Sequence, residues 1–571
     1  MATAKKGCLI AASITVGIVI IIFVMIGVFA SKMGKDTIKL SNETYLVLNI
    51  NQPLPYEKHE SLFDSPSATF TDVLAAFDKA ANDSHVKGII VKQCAASVAQ
   101  QEEILEKIIA FKKSGKKVYA YLPSIGTGSY LMASVADQIV IPPSLSADVS
   151  LAGYYLPQSF YKRLFDKIGV EVTVVHMGNY KGAGESFSRT SMTPYLRENM
   201  ESLIDDMFGW RLERMATNRS LDVETFKADV FNGRFFMLTP PQSMNYKLVD
   251  ETLYESDLYD KLSLDKKNIV SFTKYAQSMK HAQYGDKIAV IIAEGQIIVG
   301  KSTSDWSPLS GGISKMLGSD TFCSHVEDAV KDDSIKGIVI RVDSPGGSAL
   351  ASDIMWRSLK KAAEKKPIYI SMGQVAASGG YYISAPGKVI FADNTTITGS
   401  IGVVSMLMNT QRLMENKLYI DTDTIQRGKY SDFGSPLKPM TNDEIMILKK
   451  MSENVYLEFK TRVSEGRSMT MDEVEKLAQG KVYTGRQALK IGLVDQIGGL
   501  EATVFALKKE LNLEHASIVY YPKTKNFFES IKEGGLFGMS VFNKISKPES
   551  SVTIDPRPQV LMPNYDILLA E

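Results

Sequence analysis

Short, uninterrupted apolar runs separated by stretches of helical spacing set the pattern of this chain. Residues 45–50 read as a strand, and so do residues 287–292. After each comes a variable loop, a helix (near 71–81 and 324–331) and a wholly apolar strand, Gly88-Ile89-Ile90-Val91 or Gly337-Ile338-Val339-Ile340. A third strand follows the next helix in each series, at 117–121 and 367–371. Apolar runs without alternation suit parallel strands covered on both faces, so the pattern predicts an α/β fold with helices on both sides of a sheet. Past Thr193 and Thr441 both series turn helical, and residues 203–215 and 443–462 carry apolar side chains at helix spacing. Those two segments read as packing helices rather than ligand surfaces.

The two series are copies of one another. Asp332-Asp333-Ser334-Ile335-Lys336-Gly337-Ile338-Val339-Ile340 echoes residues 83–91, and Gly492-Leu493-Val494-Asp495 echoes Lys247-Leu248-Val249-Asp250. A duplication suits the length, 571 residues, which accommodates two domains of roughly 240 residues. The expected division is a first repeat over 40–272, a polar linker without periodicity over 273–286 and a second repeat over 287–523. The tail over 524–571, with Gly534-Gly535 and Pro556-Arg557-Pro558, reads as largely irregular.

Ahead of the repeats, residues 8–30 form an uncharged apolar run flanked by Lys5, Lys6, Lys32 and Lys35. About 20 such residues span a bilayer, whereas a cleaved signal peptide has an apolar stretch of roughly 7–15. Val28-Phe29-Ala30 could pass for a cleavage site, but the length favours an uncleaved anchor. Residues 1–7 would then lie on the cytoplasmic side and the large body outside. Lys plus Arg (65) nearly balances Asp plus Glu (64), which leaves no field for a polyanion and excludes nucleic acid as a partner. Cys8, Cys94 and Cys323 are too scattered for a disulfide framework or a zinc site.

The copies differ where chemistry would sit. The second carries Ala377-Ser378-Gly379-Gly380-Tyr381 where the first has Gly126-Thr127-Gly128-Ser129-Tyr130, and Asp343-Ser344-Pro345-Gly346-Gly347 where the first has Cys94-Ala95-Ala96-Ser97-Val98. Any single glycine pair there is most simply a turn. Together, a serine entering a helix and backbone N–H groups from two neighbouring loops are what acyl transfer requires: Ser378 as nucleophile, Gly347 and Gly379 as donors to the developing oxyanion. The serine needs a base, yet none of the six histidines follows Ser378 before His515, against a Ser-His-Asp order. Lysine is the alternative. At a pKa of about 10.4 only ~1 molecule in 2500 is neutral at pH 7, but burial can lower that pKa by about 3–5 units. Lys181 lies in the glycine-bearing loop Met177-Gly178-Asn179-Tyr180-Lys181-Gly182-Ala183, and its counterpart in the second copy is Ser431. Spacing alone leaves a solvated surface lysine as the better reading there.

Ser344-Pro345-Gly346-Gly347, Ala376-Ala377-Ser378-Gly379-Gly380-Tyr381, Thr398-Gly399-Ser400-Ile401-Gly402 and Tyr180-Lys181 resemble the signal peptide peptidase A family of membrane-bound bacterial serine peptidases, in its long duplicated form. The likeness covers about residues 40–520. It implies tandem ClpP/crotonase-like domains behind the anchor and a Ser-Lys dyad, with Ser378 as nucleophile and Lys181 as general base. It further implies that Ser400 orients the lysine and that Gly347 and Gly379 form the oxyanion hole. No cofactor is implied. The family's substrates are remnant signal peptides and other unfolded hydrophobic segments, its assembly is a tetrameric bowl, and its place is the bacterial inner membrane with the body on the extracytoplasmic side. The anchor would hold the chain in lipid, where such substrates reside. Two other readings stand beside this one. One is a crotonase-like acyl-CoA enzyme, which would need a catalytic carboxylate or histidine, and the other is a non-catalytic scaffold that binds apolar peptides.

Overall fold

Each apolar series becomes a parallel sheet, and the two sheets repeat one strand order. The computed structural model of the protein describes residues 38, 40–57, 68–279, 285–307, 312–523 and 559–561. In the first copy Thr44–Ile50 lies between Val86–Cys94 and Ile269–Ser271, with Lys117–Tyr121, Gln138–Ile141 and Glu251–Thr252 following outward. In the second, Lys287–Glu294 lies between Ile335–Ser344 and Ser517–Tyr521, with Ile368–Ala377, Val389–Ala392 and Gln496–Ile497 outward. The far end of Ile368–Ala377 also pairs with Ile397–Gly399, which pairs with Val482–Thr484.

The echoed residues make the same bonds twice. Asp250 accepts from Ile139 N at 2.7 Å and Asp495 accepts from Ile390 N at 2.8 Å. Arg219 and Arg467 each donate to that carboxylate at 3.0 Å. Tyr130 and Tyr381 donate their hydroxyls to Leu248 O and Leu493 O. Side-chain alternation divides the second sheet between two cores. Ile288, Val290 and Ile292 face Leu500, Val504 and the first copy, whereas Ala289, Ile291 and Ala293 face Phe322, Val326 and Ala329. Both faces are covered, which is why its strands are apolar throughout.

Three devices fasten one copy to the other. Glu171–Met177 of the first pairs antiparallel with Val403–Asn409 of the second, Met177 opposite Val403. The helix Pro194–Asn218 sets Leu196, Met200, Leu203 and Met207 on Val375, Ala377, Ile397 and Val482, while Asn199 bonds both Val482 N (2.9 Å) and Val482 O (2.8 Å). The helix Val98–Lys112 buries Gln100, Gln101, Glu102 and Glu103 in succession. Glu103 takes a 2.6 Å bond from the fully buried Arg341 and accepts Leu500 N at 2.7 Å, while Glu102 accepts Asn394 N at 2.7 Å.

A third, mixed sheet joins Thr303–Ser307, Gly312–Gly318, Gln296–Ile298, Gly346–Ser348, Gln559–Leu561, Val403–Asn409 and Glu171–Met177 in that order. Two expectations change here. The start of the linker is a packed helix, Phe272–Gln277, because Phe272, Tyr275 and Ala276 bury against the first copy, the Phe272 ring tilted against Phe77 with centroids 4.3 Å apart. In the tail, residues 559–561 form a strand rather than irregular chain, since two neighbouring strand edges take up their backbone groups. The anchor expected over residues 8–30 lies outside the described residues, and among those described no helix is long and apolar enough to cross a membrane.

Candidate active site

The strand Ile368–Ala377 ends at Ser378, which stands at the mouth of the helix Gly379–Ser384 with φ 55° and ψ −114°. That backbone is unfavourable for a non-glycine residue and costs of order 1–3 kcal/mol, which its surroundings must over-determine. They do so through Ser378 N donating to Gly399 O and Tyr382 N donating to Ser378 O, both at 2.8 Å. The turn aims the hydroxyl away from the strand axis, toward the first copy.

Lys181 comes from that copy. Its strand, Glu171–Met177, carries it alongside Val403–Asn409, and the turn from Gly178 to Lys181 then swings the side chain inward. Nζ lies 2.8 Å from Ser378 Oγ, 2.8 Å from Ser400 O and 2.9 Å from Ser400 Oγ. Lys181 is 2% exposed, while Ser378 and Ser400 are wholly buried. No carboxylate among the described residues pairs with the amine, and burial alone holds its pKa well below the ordinary lysine value. A neutral amine has two N–H groups and one lone pair. Ser400 O can take one N–H, Ser400 Oγ the other, and the lone pair then faces the Ser378 hydroxyl. The solvated alternative for Lys181 is thereby corrected: the strand crossing between copies, invisible to spacing along one chain, buries it.

The loops of Gly347 and Gly379 lie against each other. A Cβ on Gly379 would lie 3.0 Å from Gly346 Cα and 3.2 Å from Gly347 N, so the two loops meet backbone to backbone. Gly347 has φ +154°, and a Cβ there would stand 2.1 Å from Ile297 O, which leaves room for glycine only. His515 is exposed, just ahead of the strand Ser517–Tyr521. Ser431, the counterpart of Lys181, is exposed with its hydroxyl on Gly428 O.

Sequence reasoning missed the segment Gln479-Gly480-Lys481. Gln479 O accepts from Tyr180 N, Gly480 N donates to Ile401 O and Lys481 O accepts from Ser400 N, each at 2.8 Å. Gly480 has φ +76°, and a Cβ on it would come within 2.6 Å of both Lys181 Cβ and Lys181 N. The duplication holds a partial signal, since Asn232-Gly233-Arg234 is the matching turn in the first copy. Nothing in either turn tells which one has a lysine leaning on it.

A buried serine at a strained strand-to-helix turn, an amine on its hydroxyl and two converging glycine loops define a hydrolase of the serine-nucleophile class. The sequence profile of peptidase family S49 matches residues 110–269 and 360–514. The chloroplastic serine protease SPPA of Arabidopsis thaliana is 33% identical over 455 residues, 76% of this chain and 65% of that protein. Protease 4 of Salmonella typhi is 30% identical over 513 residues, 86% of this chain and 79% of that one. A solved ClpP1 chain from Listeria monocytogenes aligns over 38% of this chain and 94% of its own at 13% identity, with a TM-score of 0.25 too low to bear on the fold. The chain belongs to peptidase family S49 and is a serine peptidase of its long, SppA-type form. The acyl-CoA and scaffold readings give way to that membership.

Proposed function

We propose that this protein is a membrane-anchored endopeptidase that uses a Ser378–Lys181 dyad to cut hydrophobic, unfolded peptides, remnant signal peptides among them. The observation that carries this reading is the 2.8 Å approach of a buried, unpaired lysine amine to the serine hydroxyl. Ser378 Oγ attacks the peptide carbonyl carbon while its proton passes to Lys181 Nζ, and the carbonyl oxygen takes the negative charge toward the N–H groups of Gly347 and Gly379. The ammonium then protonates the departing amine, leaving Ser378 acylated. Water, deprotonated by the same Nζ, attacks the ester; the proton returns to Ser378 Oγ as the acid leaves. Ser400 holds the amine through two oxygens and keeps its lone pair on the hydroxyl.

The apolar run over residues 8–30 supports the anchor and, with it, placement in the bacterial inner membrane with the body outside. A ClpP/crotonase-like domain pair assembled as a homotetramer belongs to the same proposal. The test is incubation of wild type and Ser378→Ala with a synthetic signal peptide, followed by mass spectrometry of the products. Internal cleavage by wild type alone supports the reading. An intact peptide with both, or equal cleavage with both, overturns it.

A further inference from the structure

The strand that ends at Ser378 reaches it across a bulge. Ile335–Ser344 and Ile368–Ala377 pair in step from Ile338–Ile368 to Val342–Met372, and pairing resumes at Ser344–Ala376. Asp343 on one strand therefore faces Gly373, Gln374 and Val375 on the other. Bulges bend a strand and re-aim the side chains beyond them. Directly past this one, Ala376 and Ala377 pair with Thr398 and Gly399, and Ser378 follows.

The carboxylate of Asp343 fills the bulge. Oδ1 accepts from Val375 N at 3.1 Å, and a Cβ on Gly373 would come within 2.8 Å of Oδ2. Oδ2 accepts from the hydroxyl of Tyr56, a buried residue of the first copy, at 3.2 Å. That hydroxyl in turn accepts from Arg341 Nε at 3.3 Å and Nη2 at 3.1 Å. Arg341 Nη1 donates to Ser371 Oγ at 2.8 Å and to Met372 O at 3.2 Å. Arg341 thus grips the chain before the bulge, and Asp343 grips it after. The residue next to Asp343 starts the oxyanion loop: Ser344 Oγ donates to Gly295 O at 2.7 Å and accepts from Gly346 N at 3.2 Å.

The first copy has the same strands without the acid. Cys94 and Lys92 stand there in place of Asp343 and Arg341. A thiol is a weak acceptor for a backbone N–H, and the matching pairing stops at Val91–Ala120. The strand Lys117–Tyr121 ends, and Ser124–Gly126 beyond it belongs to a separate two-stranded sheet. Only the copy with the aspartate carries this strand through to a nucleophile.

We propose that Asp343, completed by Tyr56 from the first copy, is a positioning residue of the reaction: it fixes the bulge that sets where Ser378 Oγ stands relative to Lys181 Nζ and the N–H groups of Gly347 and Gly379. The inference rests on the Ser378–Lys181 peptidase reading. The first copy then reaches the site twice, through the Lys181 amine and through the Tyr56 hydroxyl.

The test compares Asp343→Leu, Asp343→Asn and Tyr56→Phe in the full chain, each shown by circular dichroism to be folded at the assay temperature. A displacement of about 1 Å at a reacting group costs on the order of 10²-fold in rate. Asp343→Leu, which has no acceptor, should lose about that factor both in kcat for an apolar peptide and in fluorophosphonate labelling of Ser378, with KM nearly unchanged. Asp343→Asn keeps an oxygen for Val375 N and should recover about tenfold of the loss, while Tyr56→Phe should lose about tenfold, the worth of one hydrogen bond to a charged group. Wild-type kcat and labelling in Asp343→Leu, or an Asp343→Asn no faster than Asp343→Leu, overturns the proposal. Should Asp343→Leu not fold, Tyr56→Phe decides on the same two rates: a matched fall supports the proposal, and wild-type rates refute it. A wild type that neither cleaves nor is labelled ends the Ser378–Lys181 reading instead. Hydrogen exchange over residues 373–378 then decides whether the pair holds the bulge: faster exchange in Tyr56→Phe than in wild type supports it, and equal exchange refutes it.

Discussion

Lys181 Nζ and Ser378 Oγ stand 2.8 Å apart although 197 residues separate them and each belongs to a different repeat. Neither copy holds both groups, so the site exists only where the first copy's Glu171–Met177 strand lies along the second copy's Val403–Asn409. The second copy carries the serine turn and the first the lysine turn.

Removing the amine should separate catalysis from stability. Lys181→Met keeps the volume of the side chain and drops a group whose charged form is costly to bury. We expect peptide cleavage to fall at least ~10³-fold while the melting temperature stays level or rises. A calorimetric scan beside an activity assay checks both; a large loss of stability would make the lysine structural.

Gly480→Ala should act on the lysine from behind. Its Cβ would meet Lys181 at 2.6 Å, and a displacement of about 1 Å at a reacting group can cost on the order of 10²-fold in rate. We expect that loss in kcat with little change in KM. Gly233→Ala is the control, being the same turn in the first copy with φ +70° and no atom within 4 Å of the added Cβ. It should cost about 1 kcal/mol of stability and leave kcat alone.

The central strands, the duplication and the serine loop were legible in the sequence because they are local: apolar runs, echoed residues and glycines beside Ser378. The lysine was legible only through resemblance, since its burial depends on a strand crossing between copies. Glu102 and Glu103 were not legible at all. Four polar residues in succession on a helix look solvated, yet they bury because Arg341, Asn394 and Leu500 N supply partners from the other copy. The tail strand was hidden for a similar reason, its three residues pairing with edges more than 150 positions upstream.

That polar junction gives a further prediction. Glu103→Ala strips Arg341 of its carboxylate in a fully buried setting, which costs about 3–5 kcal/mol. Glu103→Leu combined with Arg341→Met should lose less than the sum of the two single changes, since both charges go together. Denaturant titration of the four proteins closes the cycle.

Asp343, beside the glycine loop, links stability to pH. Burial first, and the nearby Glu294 carboxylate, push its pKa up to about 6 from 3.8, against the pull of Arg341. A carboxyl with a raised folded pKa favours folding in its protonated form. Its contribution is full below about 3.8 and is lost as pH rises through about 6, some 3 kcal/mol in all. Asp343→Asn keeps an oxygen for Val375 N and should flatten the stability profile between pH 4 and 6, measured by denaturant unfolding at each pH.

The central claim, that an uncharged Lys181 activates Ser378, is tested most directly by the rate at which a fluorophosphonate labels Ser378 as a function of pH. Wild type should label at Ser378 alone, with a rate that rises through a single ionisation well below the ordinary lysine pKa. Lys181→Met should label at least ~10³-fold more slowly and without that ionisation. Labelling of Lys181→Met at the wild-type rate, or with the same pH dependence, would contradict the account.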